Sequence, residues 1–124
     1  MKNSFIAMQS GLSAGDIDIE MTDGWRGEAD QQKALAAGNS RASFGHSPHN
    51  FGVAFDCAPV INGKLEWPSD MTLWQEIGRV GKAIGMVWGG DFHSITDYPH
   101  FEMKDWASKG LKLYSEQPPL DTPV

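Results

Sequence analysis

The chain has 124 residues, the length of one domain, and we expect residues 1–124 to fold as a single domain. Hydrophobic residues make up 40% and charged residues 21% of the sequence, which excludes fibrous and intrinsically disordered proteins. The formal net charge is −6 and only 10 residues are lysine or arginine. The sequence therefore offers no basic patch and predicts no nucleic-acid partner.

The cysteine content and the lengths of the apolar runs exclude further classes of protein. Cys57 is the single cysteine, so an internal disulfide and a cysteine-based zinc cluster are both excluded. The apolar stretch after Lys2 covers only residues 5–8, shorter than the roughly 7–15 residues of a signal-peptide core. No run approaches the ~18–20 apolar residues of a membrane helix. We expect synthesis in the cytoplasm and no membrane insertion.

The first half of the chain predicts a strand, a helix and a long loop. Apolar and polar residues alternate over residues 17–21, which predicts a short half-buried strand. Residues 27–37 are rich in helix formers and are followed by Gly38, a typical helix stop. Residues 39–52 have loop chemistry throughout, and a loop of this length in a small domain is typically functional.

The second half predicts a hairpin, a core helix and two short strands. Residues 53–61 are apolar and β-prone, and the Asn-Gly pair after them predicts a hairpin. Apolar residues at helical spacing predict a core helix over residues 71–84. Short strands are predicted at residues 86–88 and 100–103, and a loose tail at residues 117–124. Strands and helices mix without a βαβ repeat, which predicts an α+β protein with a short, mainly antiparallel sheet.

Asp56 is an anomaly, because it lies in the middle of an apolar predicted strand. Burial of an unpaired carboxylate costs several kcal/mol, so a partner must compensate its charge. One interpretation is a hydrogen-bonded aspartate at a strand bend. The other is a cation shared with His49, which a bend at residues 50–52 could return to the same end of the strand.

A second cluster of polar residues occupies residues 97–102. Pro99 excludes a regular helix there, so a tight turn sets Asp97 and His100, and Glu102 shares a strand face with His100. One interpretation is a solvated acidic loop with a chance histidine. The other combines two histidines, His49 and His100, with Asp56 into the ligand set of a catalytic zinc site, which leaves a fourth position for water.

The order of these motifs resembles peptidase family M15. The resemblance rests on SPHNFGVAFD at residues 47–56, WGGD at residues 88–91 and DYPHFE at residues 97–102. GWRGEADQ at residues 24–31 resembles the upstream segment of the family. The similarity covers about residues 17–103 and is strongest to phage-type L-alanyl-D-glutamate endopeptidases. It is weaker to D-Ala-D-Ala dipeptidases and carboxypeptidases.

The resemblance implies roles for individual residues. It makes His49, Asp56 and His100 the ligands of one Zn²⁺ and Asp97 the general base. It also implies that Arg26 meets the substrate carbonyl or the oxyanion, whereas a surface arginine paired with neighbouring acids is the alternative.

Other residues are expected around the ligands. The motif places Ser47 beside them, and Asp91 and Glu102 are candidates to accept a hydrogen bond from a ligating imidazole. Glu102 also competes with Asp97 for the role of base. His46 and His93 match no family ligand.

The resemblance implies a monomeric zinc endopeptidase that cuts peptidoglycan stem peptides, at the L-Ala–D-Glu bond, as a phage endolysin that reaches the cell wall after release. One alternative is D-Ala-D-Ala dipeptidase or carboxypeptidase activity. Another is a non-catalytic, zinc-stabilised wall-binding module, which needs a fourth ligand from Glu102, His46 or His93. The segment before residue 17 is short and glycine-rich, so the sequence does not predict whether the family's packing helix is present there.

Overall fold

A computed structural model of the chain describes residues 1–118, so most of the predicted loose tail lies outside the described residues. Its centre is a five-stranded sheet in which every pairing is antiparallel. The strands are β1 (Asp18–Asp23), β2 (Ala54–Ile61), β3 (Lys64–Leu65), β4 (Met86–Trp88) and β5 (His100–Met103). Their order is β1-β2-β5-β4, and β3 pairs with β2 as the predicted hairpin. The α+β prediction is confirmed.

Three α-helices accompany the sheet: α1 (Lys2–Ser13), α2 (Glu28–Ala36) and α3 (Met71–Ala83). Short 3-10 helices cover Pro48–Phe51, Gly89–Asp91 and Trp106–Ser108. Among residues 1–118, no helix is both long enough and apolar enough to cross a bilayer.

The hydrophobic core lies between one face of the sheet and the pair α1 and α3. Phe55 of β2 and Phe101 of β5 are fully buried and stack with their ring centroids 5.7 Å apart. Two glycines let α3 approach the sheet closely. A Cβ atom at Gly81 would lie 2.3 Å from the Phe101 ring, and one at Gly78 would lie 2.4 Å from the Trp88 ring. The glycines that weaken the helix pattern in the sequence are thus packing positions.

Helix α1 is an element that the sequence pattern did not predict. Its buried residues Phe5, Met8 and Leu12 follow helical spacing and join the core. Gly11 faces α3, where a Cβ atom would lie 3.2 Å from Val80. The glycine that made the segment look irregular therefore serves the contact between the two helices.

The other face of the sheet carries polar residues, and the strand register determines which ones meet. Asp56 of β2 is directly opposite His100 of β5, and Ala54 is opposite Glu102. Residues opposite each other in an antiparallel pair present their side chains on the same face. Asp56, His100 and Glu102 consequently share a face, while Phe55 and Phe101 occupy the core face.

Candidate active site

The strand part of the site consists of three side chains joined by hydrogen bonds. His100 Nδ1 lies 3.1 Å from Asp56 Oδ1, and His100 Nε2 lies 2.7 Å from Glu102 Oε1. Glu102 also accepts a hydrogen bond from Trp106 Nε1 through its other oxygen, at 3.0 Å. Both oxygens of Glu102 are therefore engaged, and the ring of His100 is fixed from two sides.

His49 comes from the loop that the sequence marked as functional. Ser47 caps the 3-10 helix Pro48–Phe51, with its hydroxyl oxygen accepting from the His49 backbone N–H at 3.3 Å. Gly52 ends that helix with φ 72°, a conformation that favours glycine. The His49 ring places Nδ1 2.7 Å from the carbonyl oxygen of Gly24 and Nε2 3.4 Å from Asp56 Oδ1. Because a carbonyl can only accept, Nδ1 carries a proton, and Nε2 is the ring nitrogen that faces Asp56.

These side chains form a group that could hold a metal ion. His49, Asp56 and His100 each offer one ligand atom, and the three atoms lie within 4.8 Å of one another. Each imidazole has its other nitrogen engaged by an oxygen acceptor, the arrangement that orients metal-binding histidines. Two nitrogens and one carboxylate oxygen suit a borderline cation such as zinc.

The charges of the site agree with cation binding. Burial opposes ionisation of Asp56, but hydrogen bonds from His100 and His49 outweigh it and hold the pKa of its carboxyl well below the usual range. Burial also disfavours the charged form of His100, yet its bonds to Asp56 and Glu102 raise its pKa to about 9. Without a metal, protonated His100 therefore supplies the positive charge between the carboxylates of Asp56 and Glu102.

Asp97 reaches the same cleft from the loop before β5. Its backbone N–H donates to the carbonyl of Gly89 at 2.9 Å, and a Cβ atom at Gly89 would lie only 2.2 Å from the Asp97 carbonyl oxygen. Glycine is therefore required for this close approach. Desolvation in the cleft and the negative charge of Asp56 raise the pKa of Asp97, although its side chain still reaches solvent.

Arg26 is buried beside this group of three side chains. Its guanidinium donates to Asp23 and, at 3.1 Å, to Gln31 Oε1, and one of its nitrogens lies 3.9 Å from Asp56 Oδ2. The alternative of a surface arginine paired with a neighbouring acid on α2 is therefore wrong. With His49, Asp56, Asp97 and His100, Arg26 lines a cleft of about 300 Å³.

Two amide side chains support the site, and sequence reasoning gave neither a role. Gln31 and Asn50 are fully buried and bond to each other, with Asn50 Nδ2 donating to Gln31 Oε1 at 3.1 Å. Asn50 also donates to the backbone carbonyl of Arg26 and accepts from the backbone of Ser47. The available signal was Gln31 within the upstream motif, but its burial could not be predicted from a helix with so weak an apolar face.

The prediction for Asp91 is wrong. Its exposed carboxylate pairs with Lys82 at 3.0 Å and contacts neither the His49 nor the His100 imidazole. Lys82 also lies over the Trp88 ring, 5.5 Å from its centroid. His46 and His93 are exposed and stand outside the group of three ligand residues among those the structure describes.

Comparison with known proteins gives one family and several relatives. Residues 39–103 match the model of a peptidase family M15 group described as D-alanyl-D-alanine carboxypeptidase. The chain is 29% identical over 118 residues to peptidoglycan L-alanyl-D-glutamate endopeptidase CwlK of Bacillus subtilis (strain 168), covering 83% of this chain and 71% of that protein. It is 31% identical over 99 residues to the L-alanyl-D-glutamate peptidase of Escherichia phage T5, covering 75% and 72% of the two chains.

Among solved structures, the fold is similar to the Serratia marcescens L-Ala D-Glu endopeptidase ChiX. The TM-score is 0.67 at 21% sequence identity, and the match covers 83% of this chain and 79% of that one. At this identity the likeness shows a shared fold.

Proposed function

The chain belongs to peptidase family M15, and from that premise we propose that it is a zinc-dependent endopeptidase that cuts peptidoglycan stem peptides at the L-Ala–D-Glu bond. The observation that carries the proposal is the group formed by His49, Asp56 and His100 in a cleft that also holds Asp97 and Arg26. Both curated relatives are named for this bond, which favours it over other peptide bonds.

In the proposed enzyme, one zinc ion would be held by His49 through Nε2, His100 through Nδ1 and Asp56 through a carboxylate oxygen. When bound, such an ion polarises the substrate carbonyl and lowers the pKa of water to about 7. The hydrogen bonds to Gly24 and Glu102 keep each imidazole in the tautomer and orientation that this role needs.

We assign the general base to Asp97. Its carboxylate makes no hydrogen bond to another side chain within residues 1–118, whereas both oxygens of Glu102 are engaged by His100 and Trp106. Asp97 can take the proton of the attacking water and return it to the leaving amine. A raised pKa suits this exchange, because the carboxylate then holds the proton more readily between the two steps.

Arg26 is assigned to the negative charge that develops on the substrate carbonyl oxygen. Asp23 and Gln31 fix its guanidinium before substrate arrives, so no reorganisation is needed during the reaction. A preorganised cation of this kind stabilises the transition state more than the bound substrate.

Two alternative functions can be distinguished from the proposed endopeptidase activity. The family description favours D-Ala-D-Ala carboxypeptidase activity as the second candidate. A zinc-stabilised binding module would need a fourth protein ligand, and the three candidates for it are engaged or remote: Glu102 bonds to His100 and Trp106, while His46 and His93 are exposed. We further propose that the protein acts on the bacterial wall as a monomeric endolysin, a role that the phage relative supports.

The deciding experiment is digestion of purified peptidoglycan, with the new termini identified by mass spectrometry. The zinc-loaded protein is expected to create new amino termini at D-glutamate, and His100→Ala is the inactive control. Release of D-alanine alone would make the enzyme a carboxypeptidase. Absence of any new terminus, from protein shown by elemental analysis to hold about one zinc per chain, would contradict a peptidase function.

A further inference from the structure

Two arginines line the cleft, and they differ in what surrounds their charge. Arg26 is buried and bonded to Asp23 and Gln31. Arg41 is exposed and makes no hydrogen bond or ion pair with any residue of the described part of the chain. Of the two cleft arginines, Arg41 is therefore the one whose guanidinium is not paired with another described residue.

The backbone that carries Arg41 is held on both sides by one buried side chain. Gln31 Nε2 donates to Ser40 Oγ at 2.9 Å and to the carbonyl of Ala42 at 2.6 Å. The Ser40 hydroxyl oxygen also accepts from the Ala42 backbone N–H at 3.1 Å. An arginine that starts from a fixed backbone loses less conformational freedom when it binds a ligand than one on a mobile loop.

The remaining charges of the cleft restrict where a negative ligand group can lie. The carboxylates of Asp56, Asp97 and Glu102 all line the cleft around the imidazoles. They repel a substrate carboxylate, whereas Arg41 offers a planar pair of donors that matches one.

We propose that Arg41 binds the free carboxylate of the glutamyl residue on the leaving side of the scissile bond and makes the enzyme prefer it to a carboxamide. This inference rests on the proposed function. A glutamyl residue has two carboxyl groups and a linear peptide uses only one of them in its chain, so the other contributes one negative charge at neutral pH. Arg41 would thus recognise the free carboxylate that distinguishes D-glutamate from its amidated form.

The test compares two soluble L-Ala–D-Glu peptides, one with the glutamyl carboxylate intact and one with it converted to the carboxamide. For the zinc-loaded wild type, kcat/KM is expected to be at least about tenfold higher on the carboxylate peptide, as for a charge-assisted hydrogen bond. Arg41→Gln should lose this preference by raising KM for the carboxylate peptide, with the carboxamide peptide unaffected. Arg41→Lys should keep part of the preference, because an ammonium retains the charge without the fork.

The matched control is Arg79→Gln, since Arg79 is an exposed arginine of α3 that pairs with Glu76 and lies outside the cleft lining. It should leave both peptides unaffected. Equal effects of Arg41→Gln on the two peptides, or none on either, at unchanged zinc content and melting temperature, would overturn the role of Arg41 and leave the proposed function standing. If the wild type cleaves neither peptide, the proposed function falls and this inference falls with it.

Discussion

The site is assembled from two parts that are held in place by different means. The strand part, Asp56, His100 and Glu102, is set by the pairing of β2 with β5, so its geometry follows from the sheet register. The loop part, residues 24–31 and 39–52, supplies His49 and the arginines and depends on buried side-chain hydrogen bonds. The backbone pairing of a sheet depends little on any one side chain, whereas a buried polar network is weakened when one member is lost. The two parts should therefore respond differently to mutation.

The largest effect is expected from breaking the strand part. His100→Ala removes a proposed ligand and leaves Asp56 and Glu102 without their shared partner. We expect zinc to be lost and hydrolysis to fall below detection, measured by elemental analysis and by peptide cleavage. His93→Ala, in an exposed histidine outside the site, is the control and should retain both. Equimolar zinc in His100→Ala would remove that residue from the ligand set.

The second prediction distinguishes Asp97 from Glu102 as the general base. Asp97→Asn should lower kcat by about 10²–10⁴-fold, the range of general-base loss, with zinc content and melting temperature near those of the wild type. Glu102→Gln should cost far less, because a glutamine oxygen can still accept from His100 Nε2. Steady-state kinetics of both variants decide the assignment, and the reverse order of effects would make Glu102 the base.

Breaking the loop part should affect stability and activity together. Gln31→Leu removes one hydrogen bond each from the side chains of Arg26, Asn50 and Ser40 and the one donated to the Ala42 carbonyl, and each buried group left unsatisfied costs about 1–3 kcal/mol. We expect a lower free energy of unfolding in urea and kcat/KM reduced by about tenfold or more through the displaced Arg26. Gln32→Leu, at the exposed neighbouring position, should change neither. Wild-type activity in Gln31→Leu would show that the loop part is fixed by other contacts.

The smallest predicted effect is a pH dependence confined to the metal-free protein. Folding raises the pKa of His100 to about 9, so its contribution to stability is complete below pH 6.5, its unfolded value, and is lost as the pH rises towards 9. The melting temperature in a chelator should decline over this interval, and the decline should be absent in His100→Ala. A zinc-loaded sample should also lack it, because its ligating imidazole is already neutral. A decline of the same size in all three samples would attribute it to other groups.

Much of the strand part could be predicted from sequence, and much of the loop part could not. Alternating or apolar runs of about four to eight residues indicate strands well, and Asp56 and His100 both lie in strands predicted in this way. Asp91 was misplaced because sequence spacing does not show that Lys82 of α3 reaches it. The burial of Gln31 arises from tertiary contacts with Asn50 and the 40–42 backbone, which leave no periodic signal in the chain. Helix α1 was missed because Gly11 looks like a helix breaker until its contact with Val80 is known.

A metal ion held by Asp56 and His100 would tie together two chain positions that are 44 residues apart. A cross-link over such a loop removes conformational entropy from the unfolded chain, as a disulfide does. Cys57 is buried and unpaired, so this chain has no covalent counterpart of that kind. Its resistance to unfolding, and with it to proteolysis, would then rise and fall with the zinc concentration around it. The lifetime of the protein in its surroundings would be set by the same ion that enables its chemistry.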